Sequence, residues 1–142
     1  MNEINEKTSV LDTIREELGI ESQWVERGNV SWLAIEKQNL RPLALTMNAC
    51  QARFVTVTAS ELPGTEGFHL EYLWDLEGKL LGFPMNISDN SIESIFDICP
   101  ASDWIERELH EGFALQIKGR ECEPLLLRPG DKLGVNMREG AK

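Results

Sequence analysis

The residues of this 142-residue chain whose types and spacing could do chemistry lie between Ser91 and Gly119, SIESIFDICPASDWIERELHEGFALQIKG. Glu106, Glu108 and Glu111 crowd a segment of helical periodicity, and a carboxylate whose pKa is lifted by burial can act as an acid or a base. Asp103, Arg107 and Glu111 fall at i,i+4 spacing, so the guanidinium can pair on either side. That pairing favours a solvated helix face over an acid–base site. His69 and His110 are far apart, and neither forms a recognisable nucleophile–base pattern. No GxGxxG or GxxxxGK stretch offers a phosphate loop; Gly78, Gly82 and Gly112 read as a turn, a bulge and a helix end. The expectation is a chain with no catalytic residue of its own.

Metal chemistry is equally poorly supplied. Cys50, Cys99 and Cys122 are scattered, with no CxxC pair, whereas iron–sulfur clusters and structural zinc draw on four ligands, normally in close pairs. The expectation is that this chain binds no metal and no cofactor. An odd cysteine count suits a reducing cytoplasm better than a disulfide framework. The formal charge of −10 argues against nucleic acid, where binding rewards Lys and Arg, and is explained by solubility. No apolar run approaches the roughly 20 residues of a membrane helix, so no direct membrane insertion is expected. The opening MNEINEKTSV lacks the basic-then-apolar pattern of a signal peptide.

The elements that must position these residues follow from periodicity. Residues 1–7 are polar and read as a flexible N-terminus. Thr8 or Ser9 can cap a helix burying Val10, Leu11, Ile14 and Leu18 and stopping at Gly19. Trp24-Val25 suggests a short strand before a turn at Gly28-Asn29. Val30 to Ile35 reads as a strand buried on both faces. Asn39 is expected to cap a second helix with Leu40, Leu43, Ala44 and Met47 inward and Pro42 in its first turn. Arg53 to Ser60 alternates as a strand, and Leu62 to Gly67 is a loop. Phe68 to Leu76 and Leu81 to Ile87 form a hairpin about Glu77-Gly78. Pro84 cannot donate to a ladder, so its strand is expected at an edge or with a bulge. Asn90, with Glu93 three residues on, predicts a helix capped there and stopped at Pro100. A second helical segment carries Ala101, Ile105, Leu109 and Gly112 on one face with Trp104, a core or interface residue, on its flank. Leu115 to Lys118 alternates as a last strand. The predicted fold is α+β: a mostly antiparallel sheet of about four to five strands with helices packed on one face. One domain spans residues 8–128, and 129–142 reads as a tail.

The order of residues in the opening stretch resembles the signature of the 30-kDa subunit family of respiratory complex I and of its relatives, the energy-converting nickel–iron hydrogenases. Ser94-Ile95-Phe96 or Ser91-Ile92 opens it, Pro100-Ala101-Ser102-Asp103-Trp104 follows, and Glu106-Arg107-Glu108 is intact. Glu111, Phe113 and Leu115 match, and Gly119 and Pro129 stand at the family's separation. Ala114 replaces a glycine, Gly112 a bulky apolar residue, Arg120-Glu121 a His-Pro, and Pro124-Leu125 a pair of arginines. The resemblance implies an accessory, non-catalytic subunit that docks on a large redox subunit (49-kDa-like or hydrogenase-type) and a small cluster-bearing subunit. Iron–sulfur clusters and any nickel–iron site would belong to those partners. The chain would be cytoplasmic and reach the membrane peripherally through the complex. The implied interface residues are Asp103, Trp104, Glu106, Arg107, Glu108, Glu111, Phe113 and Gly119. Two other classes remain open: a free-standing regulatory or interaction module with the same fold, and a small enzyme using the carboxylates.

Overall fold

The computed structural model describes residues 2–64 and 66–137, with the backbone alone described for residues 2–9. Helix α1 (Asn2–Glu17) begins well ahead of Thr8 and Ser9, whose side chains lie outside the described residues. It buries Ile14, with Leu11 and Leu18 beside it, and Gly19 closes it in the left-handed region at φ 66°.

Strands β1 (Val25–Arg27) and β2 (Val30–Trp32) form an antiparallel hairpin around Gly28-Asn29. The expected strand Val30 to Ile35 is thus shorter than predicted, and it is not buried on both faces. Ser31, Leu33 and Ile35 are buried while Ala34 is exposed, because the helices cover only one side of the sheet. A single 3₁₀ turn, Lys37–Asn39, leads into α2 (Leu40–Ala49). Asn39 does not cap α2 with its side chain. Its Oδ1 reaches back to accept the Glu36 N–H at 2.9 Å, tying down the 3₁₀ turn instead. The stripe Leu40, Leu43, Ala44 and Met47 is buried, as the spacing predicts.

Strands β3 (Arg53–Glu61), β4 (Phe68–Leu76) and β5 (Lys79–Ile87) complete a five-stranded sheet of order β1-β2-β5-β4-β3. Only the β2–β5 seam is parallel. Phe68, Leu70, Tyr72 and Trp74 of β4 point inward with Phe83, Met85 and Ile87 of β5, and rings of Phe54 and Phe83 meet Trp74 edge-on at 5.3 and 5.9 Å. The core is one cluster to which the sheet and all three helices contribute.

Pro84 is a correction to the edge-strand expectation, since β5 lies second from neither edge but in the middle of the sheet. The β4–β5 register runs unbroken past it. Its carbonyl accepts the Ile35 N–H at 3.0 Å beyond the end of β2, so the missing donor falls where that ladder has already stopped. The bulge lies in β3, between Phe54 and Thr56. Gly82 is no bulge either: the Trp32 ring lies against it, in the space a Cβ would take.

The largest departure concerns residues 91–99, expected as a capped helix. Ser91–Glu93 is instead strand β6, paired in parallel with β7 (Gln116–Lys118). The Gln116 N–H donates to the Asn90 carbonyl at 2.7 Å and the Ser94 N–H to the Lys118 carbonyl at 2.8 Å. Ser91, Ile92, Ser94 and Ile95 are all buried, and pairing with β7 satisfies a backbone that an isolated turn of helix would leave exposed. Helix α3 (Asp103–Phe113), entered through a 3₁₀ turn at Pro100–Ser102, connects the two strands. Among the described residues, no helix is long and apolar enough to cross a membrane.

Gly82→Ala forces the Trp32 ring off the sheet and is expected to cost about 1–3 kcal/mol, read as a lower urea midpoint at unchanged m-value. An unchanged midpoint would mean that the ring moves aside freely.

Candidate functional site

Helix α3 is amphipathic in an unusual sense, because its inward face carries charge. Asp103 and Glu106 sit in its first turn, where carboxylates complement the helix dipole. Glu106 is only 1% exposed. Its Oε1 accepts from Ser94 Oγ at 2.7 Å and from Arg120 Nη1 at 3.3 Å, and its Oε2 accepts the Ile95 N–H at 2.8 Å. Arg120 also donates to Asp103 Oδ1 at 2.5 Å and lies over the Phe96 ring, 4.7 Å from its centroid. The Arg120 hydrogen bond, against a smaller opposing effect of burial, holds the Asp103 carboxyl below the usual range. Arg41 of α2 ties the same turn down, donating to the Ser94 carbonyl at 2.7 Å and to both Asp97 oxygens at 2.8 Å.

The other flank of α3 grips the segment after β7, residues 121–137, hereafter the strap. Arg107 donates to the carbonyls of Glu123 and Pro124 at 3.1 and 2.7 Å, and to Asp103 Oδ2 at 3.4 Å. Glu111 accepts the N–H groups of Leu125, Leu126 and Leu127 at 2.7, 2.9 and 3.3 Å. At the end of the helix the carbonyls of Glu111 and Gly112 accept the N–H groups of Gly134 and Asn136, each at 2.7 Å. Asn136 occupies the space beside Gly112, which is where a bulky residue would collide. Of the expected tail 129–142, residues 138–142 lie outside the described residues. Ala114 ends the helix in the left-handed region, φ 55° and ψ 31°. This is the conformation that favours the glycine whose place Ala114 takes.

The signature residues therefore separate. Glu106 and Glu111 are buried anchors, and the solvated-face expectation fails for both because backbone and side-chain donors converge on them. Arg107 bonds Asp103 and the strap carbonyls, with no bond to Glu111. Phe113 is half-buried, edge-on to Phe68 at 6.2 Å. Gly119 is exposed at φ 92°, turning the chain out of β7. Glu108 is exposed, and Trp104 is 70% exposed, which removes it from the core. Arg41 is the member that sequence reasoning missed outright; Ser94 and Arg120 were marked only by their alignment with motif positions, with no role assigned.

Elsewhere, an open groove of about 670 Å³ is lined by residues including Ile35, Lys37, His69, Asn86 and Asp89. Its histidine is held between Asn86 Oδ1 at 2.6 Å and Glu71 Oε1 at 3.0 Å, and Lys37 pairs with Asp89 at 2.9 Å. His110 Nδ1 faces the Leu115 carbonyl at 2.8 Å. Burial pushes the three free cysteine thiols up, away from the thiolate form. Among the described residues, no group of three or more His, Cys, Asp or Glu is arranged to hold a metal ion.

A two-layer α+β domain whose last helix clasps the following strap is the class this geometry defines. Residues 33–140 match the family described as respiratory-chain NADH dehydrogenase, 30 Kd subunit, and the chain belongs to that family. Its members are subunits of respiratory oxidoreductase complexes. The fold is similar to a chain in the structure of the membrane-bound sulfane sulfur reductase (MBS), an archaeal respiratory membrane complex. There the TM-score is 0.80 at 18% identity, over 95% of this chain and 85% of that one. It is also similar to the trypsin-resistant fragment (1-134) of Nqo5, with a TM-score of 0.64 at 13% identity over 82% of this chain and 99% of that one. A search of curated proteins found no match.

Two substitutions test this geometry. Burial pushes the Glu111 carboxyl up, but the donors of Leu125, Leu126 and Leu127 outweigh it and leave its pKa below the ordinary 4.5. Its contribution is therefore present above about pH 4.5 and is lost as pH falls through the lower folded pKa. Glu111→Gln should cost about 1.5–3 kcal/mol at neutral pH and speed amide exchange at Leu125–Leu127. Exchange rates equal to the parent's would remove the anchor role. Ala114→Gly relieves a left-handed alanine and should raise stability by up to about 1 kcal/mol, net of the glycine's extra unfolded-state freedom. A lower melting temperature would contradict this.

Proposed function

We propose that this chain is a non-catalytic docking subunit of a complex I-like oxidoreductase, seated on a large redox subunit and a small cluster-bearing subunit. The observation that carries the reading is Trp104: an indole 70% exposed on the signature helix, immediately after Asp103, which pairs with Arg107 and Arg120. Tryptophan is disproportionately represented among the anchor residues of protein interfaces. Family membership supports the same reading, since members are subunits of respiratory complexes. Both described histidines are engaged by neighbouring acceptors, and the buried carboxylates of α3 are anchors for backbone, which favours docking over catalysis. On this reading the iron–sulfur clusters and any nickel–iron site sit in the partners. The chain is cytoplasmic and meets the membrane peripherally, through them. Of the eight signature residues, Trp104, Glu108 and Gly119 are the exposed ones; Glu106, Arg107 and Glu111 act on the interface by shaping it.

Trp104→Ala should leave the free domain within about 0.5 kcal/mol of the parent, as for surface positions, yet reduce recovery of the redox subunits with a tagged chain. A large loss of stability would make Trp104 structural, and undiminished recovery would overturn the docking role.

A further inference from the structure

We propose that the N-terminal half of α3, with the strap beside it, receives a partner surface that has an apolar pocket rimmed by lysine and arginine. This rests on the docking reading and adds the chemistry of the partner. The apolar element is Trp104, joined by Leu126, which is 79% exposed although its backbone N–H is anchored on Glu111 of the same helix. The charged element arises from how the arginines are used. Arg107 and Arg120 turn inward, their side chains 16% and 12% exposed, to hold Asp103, Glu106 and the strap carbonyls. Glu108, one turn from Trp104, and Glu121 and Glu123, which flank the bonded Arg120 and Arg107 contacts, are left exposed. Among the described residues none of these three carboxylates enters an ion pair. With the cations turned inward, the exposed carboxylates of the helix and strap form an acidic rim beside the two exposed apolar side chains. The strap's own cations, Arg128 and Lys132, lie further along, beyond Leu127.

A second copy of this chain is the wrong occupant, because it would bring acidic rim against acidic rim in a protein of formal charge −10. A basic rim suits the surface, and the indole and the leucine need an apolar recess.

The test uses the assembled complex, purified through a tag on this chain, with the recovered redox subunits quantified by mass spectrometry. Glu108→Lys with Glu123→Lys should reduce their recovery about tenfold, and the parent complex should lose them progressively as salt is raised. Lys132→Glu should recover them as the parent does. Each free variant is first shown to melt with the parent, so that lost recovery is not lost folding. If the double reversal recovers the subunits in full while Trp104→Ala loses them, the basic rim is wrong and docking through the indole stands. If both variants recover them in full, docking through this face falls as well. A free chain that dimerises in light scattering, and is made monomeric by Trp104→Ala, would make a second copy the occupant and overturn the proposal.

Discussion

The C-terminal half of this domain depends on one buried carboxylate. Removing a charge from water costs several kcal/mol, recovered only if donors surround it. Glu106 obtains its donors from Ser94, Ile95 and Arg120. Those residues lie at the end of β6 and just past β7, so satisfying one side chain of α3 fixes both strands relative to the helix. The parallel pairing of β6 with β7 then needs little further specification, although neither strand exceeds three residues.

The same logic repeats one turn further along. The carboxylate of Glu111 serves three successive backbone donors of a segment that has no secondary structure of its own, and Arg107 serves its carbonyls. A stretch without a ladder would ordinarily leave its backbone to water. Here charged side chains of a neighbouring helix take the place of a second strand, which is why Glu and Arg occupy positions that a packing helix would give to leucine.

The sequence revealed different parts of this arrangement unequally. Alternation in Phe68–Ile87 and the stripe of α2 were legible because one face of each is buried in the common core, which is the condition periodicity detects. Residues 91–99 were misread because Asn90 and Glu93 offer a plausible local cap, while their true partner, β7, lies beyond an intervening helix. Pro84 was misplaced for a related reason: its tolerance depends on where β2 stops, which no property of β5 encodes. At the site, the signature motif located the right helix but not the direction of its charges. An acidic residue at helical spacing to an arginine looks solvated until the donors of Ile95 and Leu125–Leu127, distant in the chain, are brought to it.

The mixed character of the sheet has a further consequence in time. The β4–β5 pairing turns through Glu77-Gly78, so its loop is closed almost as soon as the chain exists. The β2–β5 seam joins residues separated by α2, β3 and β4, and its loop is the longest closed by any pairing in either sheet. Closure entropy grows only slowly with loop length, so the equilibrium penalty is modest. Rate is affected more, because the chain must be brought together before the seam's hydrogen bonds compensate. A three-residue strand offers few such bonds. The β2–β5 seam therefore combines the longest loop to close with few bonds to offset the closure, whereas the β1–β2 and β4–β5 hairpins on either side of it are both closed by tight turns.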